Sequence, residues 1–189
     1  MTNRRKVVAI TDGDEIAARA IKEVAERVGG RLISASAGNP TPLDGQTLVK
    51  MVKSAPCDPV LVMFDDRGAW GEGAGEKALL ELAGNPEIDL LGVVAVASHA
   101  QFVRGVEVDQ SVTNSGQLVG EAVDKDGRPV GHKILKGDTV DIVNKLQDPV
   151  VVGVGDVGKM GGADSFKKGA PVTTKAVEEI LKRSGFTWP

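Results

Sequence analysis

A three-layer α/β fold is what this sequence predicts: a mostly parallel sheet flanked by helices, with an antiparallel hairpin extension. Three observations carry that expectation. In the first half of the chain, β-branched runs alternate with apolar residues at helical spacing, the strand and helix rhythm of a parallel sheet. Residues 60–64, 90–97 and 150–154 are apolar almost without interruption, which implies strands covered on both faces. After Val106 the rhythm changes to short β-rich segments separated by turn residues.

Residues 6–10 form the first β-branched run. Ile16, Ala17, Ala20, Ile21, Val24, Ala25 and Val28 then recur at helical spacing over 15–28, and Gly29-Gly30 ends that helix. Residues 31–34 read as a second strand and 45–54 as a second helix. Pro59 opens the third strand, 60–64. The loop 68–75 after it is rich enough in glycine to read as a mobile lid, with Trp70 as an anchor or partner-contact residue. A helix over 76–83 leads to the fourth strand, 90–97, which ends at Ser98-His99. Residues 106–112, 117–123 and 130–135 are separated by Thr113-Asn114-Ser115-Gly116 and Asp124-Lys125-Asp126-Gly127, so 106–135 reads as an antiparallel hairpin unit. A short helix over 139–146, a buried strand over 150–154 and a helix over 171–184 complete the chain.

The 189 residues are enough for one substantial core, and 1–189 is read as one α/β domain. With 41% hydrophobic and 26% charged residues, the composition is that of a folded, soluble chain rather than a disordered one or a membrane bundle. The apolar run 90–97 is far short of the roughly 20 residues that cross a bilayer. A basic N-terminus that leads straight into a strand is not a signal peptide, so the chain is expected in the cytoplasm at synthesis. The lone Cys57 permits no internal disulfide and no structural zinc site of its own. A net charge of −3, scattered basic residues and the lack of tyrosine argue against a nucleic-acid partner. Glycine is the clearest excess, 24 residues, so the chemistry is expected in loops.

Carboxylates recur where strands end. Asp12 and Asp14 follow the first strand, Asp65 and Asp66 the third, and Asp156 the last. On neighbouring parallel strands these five would converge at one sheet edge, and like charges that close call for a divalent cation or a basic partner. Asp12, Asp14, Asp65 and Asp66 are therefore candidate ligands for Mg²⁺ or Ca²⁺, against the alternative that each is a helix cap or closes a turn. Residues 153–158 fit G-x-G-x-x-G, but Met160 stands where a magnesium-binding hydroxyl belongs and Gly161-Gly162 prevent an immediate helix. What remains is a candidate anion nest of Gly155, Gly158 and Lys159, or simply a flexible loop. His99 at a strand end is read as a structural histidine rather than a base, His132 as a surface residue, and Asp124-Lys125-Asp126-Gly127 as a turn rather than a calcium loop.

Two stretches, VAITDGDEIAARA over 8–20 and 152–184 with GDVGKMGGAD, KKGAPVTTKAVEEIL and KRS in order, resemble the soluble stage V sporulation protein AE family of spore-forming Firmicutes. FDDRG over 64–68 and GVEVDQSVT followed by VDKDGRP extend the resemblance over nearly the whole chain. The resemblance implies a component of the operon whose products move dipicolinic acid, as its calcium chelate, into the spore and out at germination. It also implies a protein peripheral to the spore inner membrane, with membrane and soluble proteins of that operon as partners and calcium dipicolinate as a ligand to consider. TDGDEIAARA is similar, more weakly, to the aspartate motif of toprim domains, although the glutamate-bearing strand that precedes that motif in toprim enzymes has no counterpart here. A non-enzymatic role is expected, and the alternative is a metal-dependent phosphoryl-transfer or hydrolytic enzyme that uses Asp12, Asp14 and Asp65.

Overall fold

A computed structural model describes residues 3–68 and 72–187. In chain order the elements are β1 (Arg5–Ile10), α1 (Glu15–Arg27), β2 (Arg31–Leu32), α2 (Gly45–Ser54), β3 (Val60–Met63), α3 (Ala74–Ala83) and β4 (Ile88–Val96). They continue with β5 (Val106–Glu107), β6 (Gln110–Val112), β7 (Leu118–Val119), β8 (Ile134–Leu135), β9 (Val150–Val154) and α4 (Pro171–Arg183). Seven strands form one sheet in the order β2-β3-β1-β4-β9-β6-β7, parallel at every pairing except β6 with β7. β5 and β8 pair antiparallel in a separate small sheet.

Side-chain alternation along β1 builds the two faces. Val7 and Ala9 join the core under α2 and α3, with Leu48, Val52, Leu79 and Phe64. Val8 and Ile10 join the opposite core, under α1 and α4, with Ile21, Val24, Val177 and Ile180. Every residue of β3 is buried, the signature of a strand covered on both faces. Helix starts follow local chemistry: Asp14 caps α1 by accepting from Ala17 N, and Asp44 caps α2 by accepting from Thr47 N.

The hairpin unit is more broken than its sequence suggests. The expected strand over 106–112 is split at Asp109, whose carboxylate accepts from Val151 N at 2.7 Å while its own N–H donates to Val151 O at 2.8 Å. That exchange docks the chain onto β9 and sends β5 and β6 into different sheets. Over 117–123 only β7 is strand; beyond Gly120 the pairing is reduced to one bridge, Val123 with Pro129. The expected helix over 139–146 is a 3₁₀ turn, Asp141–Lys145, preceded by Thr139 and Val140 and containing Ile142, Val143 and Asn144, residues of modest helix propensity.

Candidate functional site at the strand ends

β1 and β4 are neighbours, yet the chain leaving β1 crosses to β2 at one edge and the chain leaving β4 runs to the other. Such a reversal opens a crevice beyond the carboxyl ends of the strands, the usual ligand position in open α/β sheets. Here it is a cavity of about 150 Å³ whose walls include Thr11, Asp12, Asp14, Asp65, Ser98 and Asp156.

Carboxylate oxygens of Asp12, Asp14 and Asp156 all lie within 4.8 Å of one another. Asp12 Oδ1 accepts from Gly13 N at 2.7 Å and Asp14 N at 3.2 Å, which fixes the turn after β1. Burial, then the Asp14 charge, push the Asp12 carboxyl up to about 7, against the pull of those two backbone bonds. Asp14 uses Oδ1 to cap α1 and Oδ2 to accept from Lys159 Nζ at 2.9 Å. Lys159 also reaches Asp156 Oδ1 at 3.2 Å. Burial alone would lower the Lys159 pKa, but its bonds and attraction to Asp14 and Asp156 outweigh that and raise it. The ammonium is thus the resident counter-ion of the cluster.

Asp65 stands against the same crevice. Its Oδ1 accepts from Arg67 N at 2.8 Å and its backbone N–H donates to Thr41 Oγ1 at 2.8 Å. Burial and the charges of Asp138, Asp66 and Asp14 raise its pKa. Gly13 lets the two loops meet: a Cβ there would lie 2.8 Å from Asp65 Cβ and collide with Gly38 O.

Asp66 points elsewhere. Its Oδ1 accepts from Gly75 N at 2.6 Å and Glu76 N at 3.1 Å, which holds the first turn of α3, and the residue lines a second, larger cavity together with His99. His132 is exposed, its Nδ1 accepting from Ile134 N at 3.3 Å, and Cys57 is exposed and free. Asp124 closes its turn by accepting from Asp126 N and Arg128 N, both at 2.9 Å. Trp70 lies outside the described residues.

The glycine loop after β9 already holds an anion, and it is the chain's own. Gly158 N donates at 2.8 Å to Asp164 Oδ2, and Asp164 is fully buried. Lys159, from the same loop, is engaged by the two aspartates rather than by the nest. Gly155 has no room for a side chain, since a Cβ would lie 2.6 Å from Lys125 O and 2.7 Å from Gly127 N. Sequence reasoning missed Asp164, Asp138 and Ser98. The Ser98 and Asp138 segments meet only in the fold, through Ser98 Oγ accepting from Asp138 N at 2.8 Å.

Fold and site together define an α/β protein with an acidic, lysine-bridged crevice at the carboxyl ends of a parallel sheet. Residues 6–184 match the model of the stage V sporulation protein AE1 family, and the chain belongs to that family. Comparison with curated proteins and with solved structures finds no match, so the toprim likeness of the aspartate segment receives no support from that side.

Proposed function

We propose that this protein is a non-enzymatic component of the machinery that takes dipicolinic acid and calcium into the developing spore and releases them at germination. The family match over 6–184 carries the reading. It acts with the membrane and soluble proteins of its operon, peripheral to the spore inner membrane. Among the described residues no helix is long and apolar enough to cross a membrane, and a chain of net charge −3 is repelled by anionic lipid, so a protein receptor brings it there.

The crevice gives this role its chemistry. Hard divalent cations take carboxylate oxygens, and Asp12, Asp14 and Asp156 offer three of them within 4.8 Å of one another, with Asp65 beside them. Asp12, Asp14 and Asp156 would hold Ca²⁺ or Mg²⁺ in place of the Lys159 ammonium, with the Asp12 proton passing to solvent, and Lys159 would then be free to pair with the carboxylates of a bound chelate.

Fractionation of spores with and without the membrane subunits of the operon, together with their dipicolinate content, tests this reading. Membrane association that depends on those subunits, and a lowered dipicolinate content in an Asp12→Asn/Asp156→Asn strain, are expected. Association that persists without the subunits would remove the receptor. Magnesium-dependent phosphatase turnover abolished by Asp14→Asn would replace the reading with the hydrolytic one.

A further inference from the structure

The cavity that Asp66 lines has a volume of about 880 Å³. Small-molecule pockets run from about 300 to 1,000 Å³, whereas an ion with six waters needs only about 200 Å³ at roughly 30 Å³ per water. The space suits an organic molecule rather than a bare or hydrated metal.

Two residues of its walls each carry a buried polar atom that has no hydrogen-bond partner among the described residues. Asp66 is 6% exposed, and with Oδ1 committed to the start of α3 its Oδ2 has no hydrogen-bond partner among the described residues. Thr139 is 7% exposed and its hydroxyl likewise has none among those residues. Buried polar atoms without partners are uncommon in native folds, and two on one cavity point to something that satisfies both. A carboxylate oxygen only accepts, so the missing group is a donor.

The charge balance agrees. Asp66, Glu72, Glu76, Asp138 and Asp141 line the cavity against Arg67 and Lys145. Among the described residues, none of Asp66, Glu76 and Asp138 is in an ion pair. Burial, then the Asp66 charge, raise the Glu76 pKa, as expected of carboxyls crowded together without a cation. Backbone strain gathers at the same place: Arg67, Phe102 and Thr139 have φ of 54°, 61° and 61°, and all three are in the cavity wall. A β-branched residue in that region is an outlier, and such strain concentrates at ligand clamps. Phe102 is 88% exposed, with Val103 and Ile142 also in the wall.

We propose that this cavity binds a small organic ammonium ion, a primary amine on an apolar body, with the N–H donors directed to Asp66 Oδ2, Glu76 and the Thr139 hydroxyl and the body against Phe102, Val103 and Ile142. An ammonium has three donors and no acceptor, which matches that set. An aromatic face beside the cation adds to its hold. The site adjoins the Asp12 crevice, with which it shares Asn39 and Asp138 in its walls, but its acceptors are other groups, and it stands whether or not that crevice takes calcium.

The test is calorimetry on the full chain with 2-phenylethylamine, cyclohexylamine and 1,5-diaminopentane as probes, 2-phenylethanol as the neutral control and CaCl₂ as the metal control. At least one amine is expected to bind, the alcohol not measurably. Glu76→Gln should weaken the amine about tenfold or more by removing a charge-assisted bond, with melting temperature showing that the variant is folded. Asp66→Asn, which keeps an oxygen for the Gly75 and Glu76 N–H groups, is the second variant and should weaken it likewise. Asp12→Asn should change nothing. The proposal is overturned if no amine binds at about 10 mM, a concentration that detects even millimolar affinity. It is equally overturned if the alcohol binds as tightly, or if both folded variants bind as the parent does.

Discussion

Asp164→Ala should be among the most damaging single changes in this fold. Asp164 is 0% exposed and accepts four hydrogen bonds: Oδ1 from Val172 N and Thr173 N, both at 2.9 Å, and Oδ2 from Gly158 N at 2.8 Å and Thr173 Oγ1 at 2.6 Å. It therefore ties the loop after β9 to the first turn of α4, standing in for a helix cap that Ala170 cannot supply. Alanine would leave three backbone N–H groups buried without acceptors; the Thr173 hydroxyl can rotate toward another partner. At the low end of roughly 1–3 kcal/mol for each stranded donor, because removing a buried charge also removes its desolvation cost, the loss is about 3 kcal/mol. The missing negative charge at the α4 N-terminus adds roughly 0.5–1 kcal/mol, for a total of about 4 kcal/mol. In a chain of this size each kcal/mol moves the melting temperature by about 2–4 °C, so scanning calorimetry should show a drop of about 8–16 °C. Asp164→Asn keeps the Oδ1 acceptor and should fall between variant and parent. A drop under about 3 °C for the alanine variant, on that same scale, would refute the assignment of Asp164 as the tie between loop and helix.

Other consequences follow from single groups. The Asp12 carboxyl, raised from 3.8 to about 7 by burial, is protonated in the folded chain and ionised in the unfolded one between those values, so its contribution to stability is lost as pH rises through that window. Thermal melts from pH 4 to 8 should show Asp12→Asn gaining on the parent as pH rises; a constant difference would contradict the raised value. Lys159→Ala should cost little stability, about 0–1 kcal/mol, since its ion pairs are more than a third exposed, yet it should tighten calcium several-fold by removing the competing ammonium; weaker calcium binding would mean that the lysine helps to build the site. Gly92→Ala should destabilise the fold by about 1–3 kcal/mol, because a Cβ would lie 2.6 Å from Val150 O and 2.7 Å from Ile180 Cγ2; an unchanged melting temperature would contradict the close fit of Gly92 against both β9 and α4.

What the sequence made legible was what apolar periodicity encodes. The buried strands β1, β3, β4 and β9 and the helices α1, α2, α3 and α4 all lie within a few residues of their expected positions, because each carries a continuous or helically spaced apolar pattern. Two-residue strands such as β5 and β8 carry no such pattern, and the break between β5 and β6 depends on a backbone and carboxylate exchange with Val151, which no local signal announces. The site shows the same division. That aspartates gather at the strand ends follows from a parallel sheet, but which ones meet depends on the path of loops. The segment after β9 crosses back over the start of α1, where a Cβ at Gly158 would meet Ile16 and Ala20, and so delivers Asp156 and Lys159 to Asp12 and Asp14. Asp66, one residue beyond Asp65, turns to the N-terminus of α3 instead. Lys159 reads from the sequence as part of an anion nest because nothing local announces that the carboxylate of Asp14, 145 positions away, is its partner.

Cation binding in the acidic crevice is the chemistry that the proposed role assigns to this fold, and isothermal calorimetry with CaCl₂ at pH 7 in two buffers of different ionisation enthalpy measures it directly. With the Asp12 carboxyl at about 7, calcium should bind with millimolar or tighter affinity and release a fraction of a proton into the buffer, and Asp156→Asn should weaken both signals. No binding heat in the millimolar range, or binding that is independent of Asp156 and releases no proton, would contradict it.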